Sequence, residues 1–277
     1  MKMIFQIPYP RIDPVFFRIG PVQLRWYGLM YMLSFIISYF VLKRYAKLRK
    51  LNISTDDLYD LLFYLIIGVM VGGRLGYVIF YDLGSYLRDP LSIFAIWQGG
   101  MSFHGGFIGV LIAAWWACRR KGWNFWEIAD LGSVAVPIGL GLGRIGNFIN
   151  GELYGRPTSV PWAMVFPDDG SEPRHPSQLY EAFLEGLVLF LILRWIYRKN
   201  LYRGTVFWAL LAFYGLFRFL VEFVREPDSQ IGFDLGPLTR GQLLTFPMLV
   251  LGLAMMIIYV RRSPPGKSHQ TRKSRAR

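Results

Sequence analysis

Seven long apolar blocks are the feature that most constrains how this chain can fold. A helix needs about 20 apolar residues to cross the hydrocarbon core of a bilayer, and the blocks reach or approach that length. The chain is 53% hydrophobic, with a mean hydropathy of +0.33. We therefore predict an all-α integral membrane protein with about seven transmembrane helices. They are expected near residues 24–42, 58–80, 104–118, 126–148, 178–197, 205–223 and 242–260.

The distribution of basic residues predicts the orientation. Four segments, 43–50, 119–121, 194–203 and 261–277, contain 19 of the 31 Lys and Arg residues. Because cytoplasmic loops are enriched in these residues, the N-terminus is expected outside and the C-terminus in the cytoplasm. Most of the net charge of +13 then faces anionic headgroups at the cytoplasmic surface. Nucleic acid is not an expected partner, because the basic tail has no aromatic residue for base stacking.

The sequence that is not helical is concentrated on the outer, periplasmic side. Residues 150–177 are rich in Pro, Gly and Asp, a composition typical of turns, and we expect them to form a small cap. Residues 1–23 and 81–103 are expected along the outer interface. The prediction is thus a single multi-pass membrane domain over 1–262, followed by a disordered basic cytoplasmic tail over 263–277.

Glycines recur at four-residue spacing in three of the blocks. Such spacing lets membrane helices approach closely, so packing contacts are expected at each of them. The run Gly141–Gly146 also matches the dinucleotide fingerprint, but no strand precedes it and it lies in a membrane span, which excludes that reading. The glycines are Gly68, Gly72, Gly76, Gly105, Gly109, Gly139 and Gly143.

A cluster of polar residues ends the fourth block. Arg144 is followed by Asn147, Asn150 and Glu152. An arginine near the bilayer centre costs about 2.5–3.5 kcal/mol, so a partner is expected, and an anion is the natural one.

The sixth block places four polar residues on one helical face. Tyr214, Arg218, Glu222 and Arg225 are spaced i, i+4, i+8 and i+11. They form either an internal ion-pair ladder, Arg218 with Glu222, or a site open to an external anion. In the fifth block Glu181 and Glu185 share a face and offer further partners for the arginines.

His104 is a candidate for proton transfer, because it lies between glycines at the outer end of a block and histidine is the side chain most often used for that role. The alternative is a histidine that only satisfies hydrogen bonds. No histidine pair has metal-ligand spacing and Cys118 is the only cysteine, so neither a metal nor a cofactor is expected. The chain has no G-x-S-x-G elbow, which disfavours serine hydrolysis.

Several of these motifs together resemble one family. The run 143–155, Gly-Arg-Ile-Gly-Asn-Phe-Ile-Asn-Gly-Glu-Leu-Tyr-Gly, is similar to the signature of the bacterial phosphatidylglycerol–prolipoprotein diacylglyceryl transferases. The similarity extends from about residue 13 to 262. The other matching stretches are 25–29, 72–77, 100–106, 174–181 and 218–225.

The resemblance implies transfer of a diacylglyceryl group from phosphatidylglycerol to the lipobox cysteine of a preprolipoprotein signal peptide. The product is a thioether, and glycerol phosphate is released. The nucleophile belongs to the substrate, so the enzyme needs no catalytic Cys or Ser of its own. The bilayer and both substrates are the expected partners.

The resemblance also assigns roles to the polar residues. His104 is the best candidate for the base that takes the thiol proton. Arg144 and Arg218 are expected to bind and stabilise the phosphate, because a guanidinium stays charged and donates two bonds at once. Tyr214 is expected to act with His104, Arg144 and Arg218 in catalysis, as a hydrogen-bond donor in the same cavity. Expected contacts to the lipid come also from Tyr27, Asn147, Asn150 and Glu152, while Glu222 and Arg225 support them. Arg74 is either structural or in contact with the headgroup.

Two other classes remain open at this point. A transporter or receptor could use the same Arg, His and Glu residues as an anion or proton path. Against it, the chain has no internal repeat and its polar groups cluster at one end of the spans. An ester-cleaving membrane enzyme is the third possibility, without a visible nucleophile motif.

Overall fold

The computed structural model describes residues 7–10, 12–20, 22–95, 99–167, 172–226, 233–235 and 238–263. Helices occupy all seven predicted blocks, and most extend a few residues beyond the predicted ends. The fifth block consists of two short α-helices joined by a π-helical segment (Ala182–Val188). The predicted basic tail lies outside the described residues from position 264 onward. The helices are α1 (Trp26–Leu48), α2 (Thr55–Phe80), α3 (Leu83–Arg88), α4 (Phe103–Lys121), α5 (Phe125–Asn150), α6 (Ser177–Glu181), α7 (Leu189–Arg198), α8 (Thr205–Val221) and α9 (Arg240–Arg261).

Within the described residues, four helices are long and apolar enough to cross a membrane. They are α1, α2, α5 and residues Gly241–Arg261 of α9, while α8 is apolar but shorter. The prediction of a mainly helical membrane protein is therefore confirmed, whereas the count of seven crossings stays a prediction.

Side-chain caps fix several helix ends. Ser54 and Asp57 form a reciprocal capping box at the start of α2, and Thr239 and Gln242 do the same for α9. At the C-terminus of α4, Gly122 adopts a left-handed conformation with φ of 71°.

Short strands accompany the helices, so the all-α prediction missed a small β component. Strand β1 (Ile7–Pro8) pairs in parallel with β4 (Met164–Val165), which ties the N-terminal segment to the predicted cap. Strands β2 (Val15–Ile19) and β3 (Val22–Arg25) form an antiparallel hairpin immediately before α1. Strands β5 (Phe233–Leu235) and β6 (Leu238–Thr239) form another before α9. Backbone pairing of this kind satisfies polar groups that no helix covers.

The chain divides into two compact units. One comprises Leu42–Leu131 and the other Met1–Val41 together with Gly132–Arg277. In the first unit, α2 and α4 approach along their glycines: a Cβ added to Gly68 would lie 2.6 Å from the carbonyl oxygen of Gly109. Side chains larger than glycine would push these helices apart, so the predicted packing role is confirmed for this pair.

In the second unit, α5 packs closely against the segment that joins α6 to α7. A Cβ on Gly186 would lie 2.7 Å from the Cα of Gly141. The packing prediction was wrong for Gly139 and Gly143, because no heavy atom of the described residues beyond their own helix lies within 4 Å of a Cβ added there. Spacing alone does not tell which side of a helix meets a neighbour.

Candidate active site

Glu181, at the end of α6, is the centre of a buried charge cluster. Its Oε2 lies 2.5 Å from Nε of Arg144 on α5 and 3.0 Å from Nη1 of Arg218 on α8. The side chain of Glu181 is fully buried, while 20% of the Arg144 side chain remains exposed. One carboxylate oxygen thus holds two arginines from different helices, and charge-assisted bonds of this kind fix their orientation.

Glu222 extends the cluster. Its Oε2 lies 2.8 Å from Nη2 of Arg218 and 3.8 Å from Nη1 of Arg225. Its Oε1 accepts a hydrogen bond of 3.0 Å from the hydroxyl of Thr239. The ion-pair ladder that the sequence offered as an alternative is therefore present, and Arg218 bridges two carboxylates.

Glu185 and Tyr214 complete the cluster. Glu185 is fully buried, one turn after Glu181, in a π-helical segment (Ala182–Val188) between α6 and α7. Tyr214 lies within electrostatic range of Arg144 and Arg218. Single π-helical turns are rare and frequently mark functional sites.

The end of α5 forms a second group of polar side chains. Gly151 takes a left-handed conformation with φ of 72°, and its amide donates to the carbonyl of Phe148. The amide of Glu152 donates to the carbonyl of Asn147, which completes a Schellman turn. The turn brings the Glu152 side chain back toward the helix, where Oε1 accepts from Nδ2 of Asn147 at 2.8 Å and of Asn150 at 3.1 Å.

Tyr27 of α1 belongs to this same region. Its ring packs against Gly146, where an added Cβ would lie 2.8 Å from Cδ2 of the ring. Tyr27 is also within electrostatic range of Glu152 and Arg144. Seven predicted site residues besides Arg144 and Arg218 are thus placed in the same compact unit as these arginines: Tyr27, Asn147, Asn150, Glu152, Tyr214, Glu222 and Arg225.

His104 and Arg74 belong to the other compact unit. His104 is exposed in the first turn of α4, a helix whose N-cap residue is Ser102. Arg74 is 4% exposed, and its guanidinium donates five hydrogen bonds of 2.6–3.3 Å to backbone carbonyls. This arrangement matches the structural alternative for Arg74. The carbonyls are those of Ser92, Ile93, Ala95, Gly99 and Gly100.

The predicted cap packs onto the start of α6. Trp162 Nε1 donates a 2.6 Å hydrogen bond to the hydroxyl of Tyr180, which lies 3.2 Å from Nδ1 of His175. Partial burial lowers the pKa of His175, which favours the neutral ring. Tyr180 immediately precedes Glu181, so the cap supports the residue at the centre of the charge cluster.

Glu181 and Glu185 were recognised in the sequence only as possible partners of the arginines. Their i, i+4 spacing inside an apolar block was the signal that could have placed them in the site itself. Among the described residues, no group of three or more His, Cys, Asp or Glu side chains is arranged to hold a metal ion.

The fold and this cluster define a class of protein: a polytopic membrane protein with an arginine–carboxylate site between its helices. A sequence model of the prolipoprotein diacylglyceryl transferase family matches residues 14–258. The chain belongs to this family.

Similar proteins from several bacteria agree with that assignment. A phosphatidylglycerol–prolipoprotein diacylglyceryl transferase of Geobacter sulfurreducens is 58% identical over 254 residues, which is 92% of this chain and 98% of that protein. The protein of the same name from Vibrio vulnificus is 52% identical, over 90% of this chain and 92% of its own length. That from Pseudomonas syringae is 51% identical, over 93% and 97%.

Proposed function

We propose that this protein transfers the diacylglyceryl group of phosphatidylglycerol to the lipobox cysteine thiol of preprolipoproteins. The reaction forms a thioether and releases glycerol phosphate, as the first step of lipoprotein maturation. Membership of the transferase family and the names of relatives at 51–58% identity support this proposal. The protein would act in the bacterial inner membrane as one domain of about seven spans over 1–262, with the N-terminus outside.

The observation that carries the proposal is the convergence of Arg144 and Arg218 on one buried carboxylate oxygen. Two guanidinium groups held side by side suit an anion with several oxygens, such as a phosphodiester. Arg144 is the more exposed of the two, and therefore the one from which a lipid phosphate would first accept hydrogen bonds.

The chemistry places one demand on these arginines. As the thiol sulfur attacks the glycerol carbon, the carbon–oxygen bond to the phosphate breaks and the phosphate gains negative charge. Preorganised donors that strengthen as this charge develops lower the barrier, and they act most strongly where water is excluded. Arg144 and Arg218 supply such donors, and Tyr214 lies within electrostatic range of both.

Other residues would bind the lipid and activate the thiol. Asn147, Asn150 and Glu152 form a hydrogen-bonded group that can meet the glycerol hydroxyls, with Tyr27 beside it. The thiol has an ordinary pKa of about 8.5, so a base is needed near neutral pH, and His104 is proposed for that role.

Purified full-length protein in detergent, phosphatidylglycerol and a lipobox peptide test the function. The expected result is a peptide with the mass of one added diacylglyceryl group, together with an equal amount of free glycerol phosphate. A peptide with serine in place of the lipobox cysteine is the control and should stay unmodified. The proposal fails if neither the lipidated peptide nor glycerol phosphate is formed.

A further inference from the structure

Glu185 differs from the other two carboxylates of the cluster. Glu181 and Glu222 each form close ion pairs with arginines. Glu185 is 0% exposed, and neither of its side-chain oxygens has a hydrogen-bond partner among the described residues. A buried ionised carboxylate is strongly disfavoured unless it is paired and hydrogen-bonded, so Glu185 is the member of the cluster best suited to carry a proton.

The charges of the cluster explain why a proton on Glu185 would favour binding of an anion. Arg144, Arg218 and Arg225 face three carboxylates, so the cluster is neutral when every group is ionised. A phosphodiester would add one uncompensated negative charge to a desolvated site, which is unfavourable. With Glu185 neutral, the cluster carries one positive charge and matches one phosphodiester anion.

We propose that Glu185 is protonated when the phosphate of the lipid binds, so that the cluster binds the anion and a proton together. The proposal rests on the function proposed above. The proton comes from solvent and is returned when glycerol phosphate leaves. The charged and titratable groups that face Glu185 are Glu181 on its own helical stretch, Arg144 on α5, Tyr214 and Arg218 on α8, and Arg225 just beyond α8.

The affinity for phosphatidylglycerol at different pH values tests this inference. The lipid is titrated into the full-length protein in uncharged detergent, without peptide, from about pH 6 to about pH 9. Linkage to one proton weakens binding as the pH rises, by up to about tenfold per pH unit. Glu185→Gln, which has the shape of the neutral acid, should bind the lipid with an affinity that does not change over this range.

A matched control removes a carboxylate outside the cluster. Glu172 is exposed, and Glu172→Gln should keep the wild-type pH dependence. The inference is overturned if the affinity of the wild-type protein for the lipid does not change over this pH range. It is also overturned if the affinity of Glu185→Gln falls with rising pH as that of the wild type does.

Infrared difference spectroscopy gives an independent measurement if Glu185→Gln does not fold. Adding phosphatidylglycerol to the wild-type protein above neutral pH should produce the carbonyl band of a protonated carboxyl group, which shifts in D2O while the ester carbonyl bands of the lipid do not. Absence of a band that shifts in D2O would contradict the inference. Peptide lipidation is assayed on the same preparation. Normal lipidation with flat affinity refutes only the role of Glu185, whereas no lipidation refutes the proposed function.

Discussion

Arg144 and Glu181 form an ion pair between α5 and α6, with Nε of the arginine 2.5 Å from Oε2 of the carboxylate. The same oxygen lies 3.0 Å from Nη1 of Arg218. Since Nε of Arg144 is committed to this pair, its two terminal nitrogens are the atoms best placed to meet a substrate. The pair therefore acts as an anchor that sets the direction of the guanidinium.

Arg144→Lys should lower the rate of peptide lipidation by about a hundredfold or more, because one ammonium cannot hold Glu181 and donate two bonds to a phosphate. Initial rates in detergent, compared at equal amounts of folded protein, measure the effect. Arg88→Lys, at an exposed arginine of α3, is the control and should keep the wild-type rate. Full activity of Arg144→Lys would contradict the bidentate role.

Glu181→Gln should destabilise the protein by about 3 kcal/mol, because Arg144 loses the carboxylate with which it pairs and buried Arg218 keeps only Glu222. Thermal unfolding in one detergent measures the change. Glu226→Gln is the matched control: Glu226 pairs with Arg174 at 2.8 Å but is 46% exposed, and we expect a loss of less than about 1 kcal/mol. Equal stability of the two variants would show that Glu181 does not hold the cluster together.

His104→Gln should lower the lipidation rate at neutral pH by about a hundredfold, the lower range for general base catalysis. Raising the pH to about 9 should restore part of the activity, because the free thiol then ionises without help. Rate profiles of both proteins against pH measure this. A wild-type rate at neutral pH would exclude His104 as the base.

Arg74→Lys should destabilise the fold by about 3 kcal/mol while leaving the rate per folded molecule unchanged. The physical reason is that a lysine cannot replace five hydrogen bonds to carbonyls, and bonds to charged donors contribute about 1.5–3 kcal/mol each. Thermal unfolding and lipidation kinetics are measured on the same sample. Normal stability with a raised KM for phosphatidylglycerol would instead favour contact with the headgroup.

Gly109→Ala should destabilise the protein by about 1–3 kcal/mol, because its Cβ would collide with the backbone of Gly68. Gly139→Ala, also within a helix but facing open space among the described residues, should be neutral or stabilising by up to about 1 kcal/mol. Unfolding temperatures in the same detergent compare the two. If both alanines are tolerated equally, close packing of α2 on α4 is refuted.

The helices could be predicted from the sequence because a helix that crosses a bilayer needs a long apolar stretch, and such stretches are easily recognised in the sequence. The ladder of Arg218 and Glu222 could be predicted for a similar reason, since i, i+4 residues share a helical face. The pairing of Arg144 with Glu181 could not be predicted from the sequence. These residues lie 37 positions apart on different helices, and their spacing does not show which helices are neighbours.

The pairing of β1 with β4 could not be predicted from the sequence either. Two-residue strands have no periodicity to detect, and their hydrogen bonds come from the backbone, which every residue carries. The glycines show the same limit, because identical spacing marks a contact at Gly109 and open space at Gly139.

The π-helical segment at Ala182–Val188 has a consequence for how this stretch of chain can vary. A π-helical turn accommodates more residues than an α-helical turn. The segment takes up one residue more than an α-helical stretch would, so deleting one residue here would leave an ordinary α-helix in which Leu189 and Leu193 keep their buried positions. The same deletion in a regular α-helical turn would rotate everything beyond it by about 100°. The stretch between Glu181 and Leu189 is therefore where this helix can lose one residue and keep its phase.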